Sequence, residues 1–398
     1  MFKKIFTLYK DAYSGLPKAA WMLSAVLFIN YSGSMVLFFM TLYLTRQLDY
    51  TVTQAGRMIS IYGFGSLLGA YMGGWLSDVI GTKKVQIFSL IFAGIGYITL
   101  GQLITPVSIG TMLFILAIAA ESFRPANAAA MVHVCPPEIR ARAFALNRLA
   151  VNLGIAIGPA LGGFLATQNY SFLFWVDGLT CIGAACLFWF LFHKYKYEEV
   201  HSKEKNGTDD SPWKDGVFLS VLGLLFLMGI LFFQIFNTWP LYLRQHYGLS
   251  EDRIGLLLTM NAVMIVLIEM PLIHKLERQN ILKIISIGSL LLFCGFSLLP
   301  LGQSYGFVAF TVFIWTSGEI LVFPLITTFI ANRSQDHNRG KYMGMFTFTF
   351  SLAFVIGPTL GTWVYDNYGP TQLWICIGIL GVFVWMGFQA VERMLKRQ

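Results

Sequence analysis

Charged side chains are scarce in this sequence. Only 12% of its 398 residues are Asp, Glu, Lys or Arg, whereas soluble proteins carry about 25%. Hydrophobic residues make up 56% of the chain, and the mean hydropathy is +0.64. This scarcity excludes an ordinary soluble domain. It predicts an all-α integral membrane protein with room for about twelve transmembrane helices.

Several motifs of soluble enzymes are missing too. No GxxxxGK[ST] phosphate loop is present, so ATP is not predicted as an energy source. The six histidines lie at span ends or in loops without metal-ligand spacing, and the five cysteines are scattered, mostly inside spans. We therefore predict no enzymatic activity, no metal, no cofactor and no disulfide.

Positive charge is unevenly placed along the chain. The net charge of +8 could suggest a nucleic-acid partner, but 22 of the 28 lysines and arginines fall in the N-terminus, the even-numbered connections or the C-terminus. Cytoplasmic loops of membrane proteins carry this excess. The pattern predicts both termini in the cytoplasm, the bilayer as partner and no nucleic acid. The basic, aromatic start is interpreted as a lead-in to an uncleaved first helix.

One long polar stretch, 194–215, divides the chain and predicts a cytoplasmic linker between an N-terminal bundle, 1–193, and a C-terminal bundle, 216–398. Hydropathy and length predict twelve spans, six in each bundle. These are 19–45, 53–76, 84–104, 108–133, 141–167, 171–193, 216–243, 253–275, 281–302, 306–331, 340–366 and 371–391.

The two halves repeat at a constant offset of 199 residues. The tripeptide at 42–44 recurs at 241–243, and Gly158-Pro159 recurs as Gly357-Pro358. Repeats of this kind predict two pseudo-symmetric, parallel six-helix halves with a site between them near the membrane midplane.

The fifth predicted span contains GIAIGPALGG, with small residues on one helical face. Gly154, Gly158 and Gly162 let a neighbouring backbone approach closely, and Pro159 kinks or loosens the helix. With Gly163, these residues complete the GxxxGPxxGG pattern. The stretch resembles the fifth membrane helix of antiporters in the major facilitator superfamily.

The second connection, GGWLSDVIGTKK, predicts a tight turn in which Gly81 supplies the bend. It resembles the loop signature of the same superfamily through Gly74, Asp78, Gly81 and Lys83, and departs from it at three other positions. The resemblance implies a charge-relay latch that stabilises one conformation.

Five charged residues fall inside predicted spans, where ionisable groups are costly and usually functional. They are Glu121, Arg124, Asp177, Glu269 and Glu319. No basic residue lies within a helical turn of Glu319, which predicts an unpaired carboxyl able to load and release a proton. Glu319 also resembles the tenth-helix glutamate of proton-coupled members of the superfamily.

The alternative for Glu319 is a hydrogen-bonded structural acid, and the other four charges have open alternatives too. Glu121 and Arg124 share a helix face and could form a structural ion pair, although Arg124 resembles the superfamily's fourth-helix arginine, which is implicated in proton transfer. Asn127 replaces the glutamine of that pattern. Asp177 and Glu269 could line a proton path, or could cap a kinked helix or bond a neighbour.

Polar side chains on the first and seventh spans are candidate substrate contacts. They are Asn30 and Tyr31 on the first span, and Gln234 and Asn237 on the seventh. The alternative is that each forms a hydrogen bond between helices.

The chain most resembles the twelve-helix drug/proton antiporters. This implies a proton-coupled secondary transporter with alternating access, functional as a monomer in the inner membrane of a bacterium, whose partners are protons and a hydrophobic or amphipathic small molecule. One alternative is a proton symporter importing a small polar solute such as a peptide or sugar. Another is a non-transporting membrane sensor or scaffold.

Overall fold

The computed structural model describes residues 15–195, 211–276, 279–335 and 338–396, and their regular structure is helical throughout. Fourteen α-helices are described, joined in places by short 3₁₀ turns. They are α1 (Lys18–Ser32), α2 (Val36–Gln47), α3 (Val52–Ile80), α4 (Thr82–Leu100), α5 (Pro106–Val134), α6 (Arg140–Gln168), α7 (Ser171–Phe192), α8 (Gly216–Phe232), α9 (Thr238–His246), α10 (Glu251–Leu276), α11 (Ile281–Ser297), α12 (Tyr305–Arg333), α13 (Arg339–Tyr368) and α14 (Pro370–Leu395).

These helices are long enough to cross a bilayer. Among the described residues, ten segments are both long and apolar enough to span, with α1 and α2 counted together as Lys18–Gln47. Helices α3 and α10, of 29 and 26 residues, bring the number of segments to twelve. At 1.5 Å per residue, 26 residues cover about 39 Å, more than the hydrocarbon core. The predicted all-α, twelve-helix membrane architecture is confirmed.

Two predicted spans are broken rather than continuous. The first is interrupted between α1 and α2, and the seventh contains a 3₁₀ turn, Phe233–Phe236, between α8 and α9. Hydropathy predicted a single helix in each case because it averages composition over a window much longer than either break.

Packing groups the chain into two compact units. Of the described residues, the first comprises 15–36 and 64–195, and the second comprises 37–63, 211–276, 279–335 and 338–396. The predicted division into bundles at 194–215 stays a prediction, and residues 196–210 of the predicted linker lie outside the described residues.

The first unit is built on closely packed helices. Its apolar core joins α1, α4, α5, α6 and α7 around buried residues such as Leu23, Phe123 and Phe188. Three glycines of α3 allow α5 to approach it. A Cβ on Gly65 would lie 2.5 Å from the Phe114 carbonyl oxygen, and one on Gly69 or Gly73 would lie 2.6 or 2.4 Å from carbonyl oxygens of the same helix.

The second unit includes the end of the first span and the start of the second. Arg46 pairs with the buried Glu251 at 2.8 Å. The Thr53 hydroxyl donates to Asp366 at 2.8 Å, and the Ser60 and Thr359 hydroxyls lie 2.7 Å apart. These contacts fix residues 37–63 against α10 and α13.

Candidate functional site

Asp177 holds the break in the first span. Helix α1 ends at Ser32, and α2 begins at Val36 after a three-residue turn. The Asp177 carboxylate, only 2% exposed, accepts hydrogen bonds from the backbone N–H groups of Met35 at 3.2 Å and Val36 at 2.9 Å. The first N–H groups of a helix have no intrahelical acceptor, so Asp177 caps α2 from a different helix. Of the alternatives given above for Asp177, the observed contacts match the one in which its carboxylate caps a kinked helix.

The glycines of the fifth-span pattern bring α6 against this break. A Cβ on Gly154 would lie 2.6 Å from the Tyr31 Cβ, and one on Gly158 would lie 2.9 Å from the Ser34 carbonyl oxygen. Pro159 lies inside α6, and Gly162 and Gly163 are buried in it. The close-packing face predicted from the sequence is therefore present, and its partner is the broken part of the first span.

Arg124 lies near the middle of α5 and is solvent-exposed. It interacts electrostatically with Tyr31, in the last turn of α1, and with Glu121. Among the described contacts Arg124 forms no hydrogen bond with either residue. A guanidinium this deep in a span is tolerated next to water or a partner rather than lipid. The arrangement gives the first unit a cationic group that is open to a ligand or an ion.

A buried chain of polar side chains runs beside Arg124. The Ser24 hydroxyl donates to Asn147 at 2.7 Å, Asn147 donates to Asn127 at 2.9 Å, and Asn127 donates to Gln86 at 3.4 Å. It links α1, α6, α5 and α4, and Asn127 lies one turn beyond Arg124. The sequence analysis noted Asn127 only as a departure from the family pattern. A buried amide in an otherwise apolar stretch was the signal available.

In the second unit, Glu319 has a partner that the sequence analysis missed. The Asn261 side-chain amide of α10 donates to Glu319 Oε2 at 2.7 Å and to the Thr316 hydroxyl at 3.1 Å. The expectation of an unpaired carboxyl was wrong, and the hydrogen bond of the structural alternative is present, while the coupling role of Glu319 stays a prediction. The sequence did not reveal Asn261 because it lies 58 residues away. An amide donor can bond a carboxylate or a carboxylic acid, so this contact can persist in both protonation states.

A group of aromatic rings lies one helical turn from Glu319. Phe323 is at i+4 from Glu319, so the two share a face of α12. The Phe323 ring centroid is 4.9 Å from Phe232 and 5.6 Å from Phe350, and Phe233 lies 4.7 Å from Phe354. We call these rings the phenylalanine cluster; its members are Phe38, Phe232, Phe233, Phe236, Phe323, Phe350 and Phe354.

Gln234 forms hydrogen bonds at the break in the seventh span. Its amide donates to the Ile230 and Gly357 carbonyl oxygens, both at 2.9 Å, and its own oxygen accepts from the Thr238 hydroxyl at 3.0 Å. Asn237 donates to the Phe233 carbonyl oxygen at 3.0 Å, and both side chains are buried. Asn30 likewise contacts Cys181 at 3.4 Å. The observed contacts of these predicted substrate residues are within or between helices, and their role toward substrate stays a prediction.

The turn between α3 and α4 shows which loop glycine the backbone requires. Gly81 has φ +91°, a conformation that favours glycine. Lys83 Nζ donates to the Tyr195 carbonyl oxygen, and Asp78 is exposed. A Cβ on Gly74 would meet no atom within 4 Å among the described residues. The bend is confirmed, and the latch stays a prediction.

Glu269 lies buried in α10, two residues before Pro271. Its place near an internal proline fits either of the alternatives left open by the sequence, and its part in proton coupling stays a prediction.

Comparison with other proteins adds evidence of relationship. The chain is 23% identical over 376 residues to the uncharacterised MFS-type transporter YqjV of Bacillus subtilis, covering 91% of this chain and 88% of the relative. It is also 23% identical to the multidrug resistance protein MdtH of Yersinia pestis, covering 79% of each chain. A solved peptide transporter POT in complex with sulfate has a TM-score of 0.79 at 16% identity, covering 97% of this chain and 96% of that one.

The sequence model of the Major Facilitator Superfamily matches residues 22–358 and 321–395. With twelve membrane segments, a repeat at 199 residues and these relatives, the chain belongs to the Major Facilitator Superfamily and is a multi-pass membrane transporter.

Proposed function

We propose that the chain is a proton-coupled antiporter that exports a hydrophobic or amphipathic small molecule by alternating access. The observation that carries this proposal is the position of Glu319 one helical turn from the phenylalanine cluster. A carboxyl group that can change charge and a set of aromatic rings on the same helix face can recognise a proton and an apolar molecule at one place.

Glu319 is the proton carrier in this mechanism. In its ionised form it accepts a charge-assisted hydrogen bond from Asn261, which is stronger than the bond to the neutral acid. Protonation therefore weakens the tie between α12 and α10 and favours one conformation, whereas a substrate on the phenylalanine cluster favours loss of the proton. The coupling is a population shift between two states with different affinities for proton and substrate.

In the first unit, α5 carries the exposed Arg124 and the partly buried Glu121. Arg124 does not titrate in the physiological range, so it provides a fixed positive charge, and Glu121 and Tyr31 are placed to modulate it. The lysine and arginine distribution supports cytoplasmic termini, which a reporter fused to the C-terminus would check.

A proton symporter for a small polar solute is the second candidate. The exposed Arg124 guanidinium supports it, because a guanidinium binds carboxylates well. The two candidates differ in which unit carries the substrate-binding group, and so in which substitution abolishes binding.

The test measures proton release from the purified, detergent-solubilised protein when lipophilic cations or neutral apolar compounds are added. The variants are wild type, Glu319→Gln and Glu121→Gln. Glutamine keeps an oxygen for Asn261 and removes the titratable proton. We expect release by wild type and by Glu121→Gln, and none by Glu319→Gln.

Two results would contradict the proposal. Equal release by wild type and Glu319→Gln would move coupling to Glu121, Asp177 or Glu269. Absence of release with any apolar compound, together with uptake of a peptide or sugar driven by a proton gradient in proteoliposomes, would establish symport instead.

A further inference from the structure

A groove in the first unit has no part in the site described above. It has a volume of about 670 Å³ and lies along α3, α4 and α5, where its wall includes Leu76, Phe92, Ile95 and Ile115. Phe92, Ile95 and Ile115 are each more than half exposed. Large exposed apolar side chains on spanning helices face the lipid. The groove is therefore a recess in the hydrocarbon-facing surface of this unit.

Among the lining residues of the groove, no side-chain hydrogen-bond donor is free for a polar ligand. Three of its lining residues carry hydroxyls, and each hydroxyl donates to a backbone carbonyl oxygen. Ser89 donates to Gln86 at 3.0 Å, Thr99 to Ile95 at 2.8 Å, and Ser122 to Ile118 at 2.7 Å. A molecule that occupies the groove gains only apolar contact, which fits a hydrocarbon chain.

The length of the groove fits one leaflet of the bilayer. Along α4 its wall runs from Val85 to Thr99, which is about 21 Å at 1.5 Å per residue. Half of the hydrocarbon core is about 15 Å. A chain entering at the Val85 end can thus lie in the groove for the whole depth of its leaflet.

Positive charge marks the Val85 end. Lys84 directly precedes Val85 and is exposed, and Lys83 is one residue further back. Both lie in the first turn of α4, where the helix N-terminus adds partial positive charge. An apolar channel that begins at two lysines and a helix N-terminus matches a molecule with a long hydrocarbon chain and an anionic head.

We propose that this groove binds an acyl chain of an anionic phospholipid from the leaflet adjoining Lys83 and Lys84, with its phosphate beside Lys84. Neither Lys84 nor the lining residues of the groove carry a proton or substrate in the proposed transport cycle, so the site can be tested separately from that cycle; Lys83 also belongs to the predicted latch.

The test uses native mass spectrometry of the full chain in detergent, titrated with phosphatidylglycerol or with phosphatidylcholine of the same acyl chains. We expect one phosphatidylglycerol to be retained in preference to phosphatidylcholine. Lys84→Gln should reduce that preference about fivefold, the factor for one lysine beside an anionic headgroup. Lys283→Gln is the matched control, because Lys283 is also exposed and is the third residue of its helix, as Lys84 is.

A second pair of variants tests the groove itself. Ala119→Phe places a ring in the groove and should abolish the retained lipid, whereas Ala390→Phe, at an exposed alanine of α14, should not. Size-exclusion chromatography checks that each variant is folded. If Ala119→Phe does not fold, the comparison of Lys84→Gln with Lys283→Gln still tests the proposal.

Two outcomes would overturn the proposal. If wild type retained the two lipids equally, or if Lys84→Gln kept the full preference for phosphatidylglycerol, the bound lipid would be ordinary surrounding lipid and not a specific ligand. Displacement of the lipid by an apolar transport substrate at stoichiometric amounts would assign the groove to substrate entry.

Discussion

The two broken spans are related by the repeat, yet their polar groups are satisfied in opposite ways. At the first break, backbone N–H donors are left over, and a carboxylate from another helix, Asp177, accepts them. At the second, the side-chain amide of Gln234 donates to backbone carbonyl oxygens, one at Ile230 of the same span and one at Gly357 of α13. In both, glycines of the proline-containing helix, α6 or α13, lie against the break.

The difference shows which parts of the repeat are retained. Gly158 and Gly357 are 199 residues apart and have equivalent packing roles, whereas the position equivalent to Asp177 is the exposed Cys376. Likewise, the position equivalent to Glu319 is Ala120. The glycine packing at the breaks is repeated, whereas these two carboxyl groups inside the spans are not, so they distinguish the two halves.

Removing the carboxylate at the first break should have the largest effect. Asp177→Ala leaves two buried N–H groups without an acceptor, at about 1–3 kcal/mol for each. We expect a loss of about 2–4 kcal/mol in the free energy of unfolding, measured by denaturation in detergent.

Asp177→Asn is the control, because its side-chain oxygen can still accept from Val36, and it should lose less than half as much. Stability of Asp177→Ala equal to wild type would show that the carboxylate does not hold the break. A stable Asp177→Asn that has lost proton release would restore the proton-path alternative.

A double-mutant cycle between Gly361 and Gln234 tests whether the side chain of Gln234 fills the second break. A Cβ on Gly361 would lie 1.9 Å from the Gln234 side-chain oxygen, so Gly361→Ala should be destabilising in wild type and nearly neutral after Gln234→Ala. The coupling free energy should be about 1–2 kcal/mol, within the range for residues in contact.

The corresponding substitution at the first break is Gly158→Ala, and no second substitution can remove the clash that it creates. A Cβ on Gly158 would meet the backbone oxygen of Ser34, which no side-chain truncation removes. Gly158→Ala should therefore cost the same with or without Asp177→Asn. Additive effects for Gly361→Ala and Gln234→Ala would contradict the proposed role of Gln234.

The smallest expected effect concerns the start of the seventh span. Asp215 caps α8 by accepting from the Phe218 N–H, and it pairs with Arg333 at 2.5 and 2.7 Å. Partial burial works against the charged carboxylate, but hydrogen bonds from Arg333, the Phe218 backbone and Tyr342 outweigh it, so the pKa of Asp215 lies below its usual value.

A lowered pKa means that the stabilisation is present above the unfolded-state pKa, about 3.9, and is lost as the pH falls through the folded-state value. Asp215→Asn should lower the unfolding temperature slightly at pH 7, and the difference from wild type should begin to shrink as the pH falls below about 3.9 and vanish only below the folded-state pKa. A difference that stayed constant across this range would exclude the linkage. Tyr342→Phe, which removes one donor to Asp215, should show a fraction of the effect.

The sequence predicted the membrane fold because composition and repetition are properties of whole segments. Twelve segments, the close-packing glycines of α6 and the bend at Gly81 could all be deduced from residue type and spacing. The breaks could not, because hydropathy averages over a whole span, and the contacts that hold the turn at 33–35 come from Asp177 on another helix. The partner of Glu319 could not either, since contact with Asn261 depends on how α10 packs on α12.

The break in the first span also has an electrostatic consequence. A helix interrupted inside the membrane creates two ends at mid-depth, with about half a negative charge where α1 stops and half a positive charge where α2 starts. Asp177 lies at the positive end. Arg124, through its interaction with Tyr31 in the last turn of α1, lies near the negative end. Asp177 and Arg124, each costly in a bilayer, thus both lie near an opposite partial charge in the backbone of one interrupted helix.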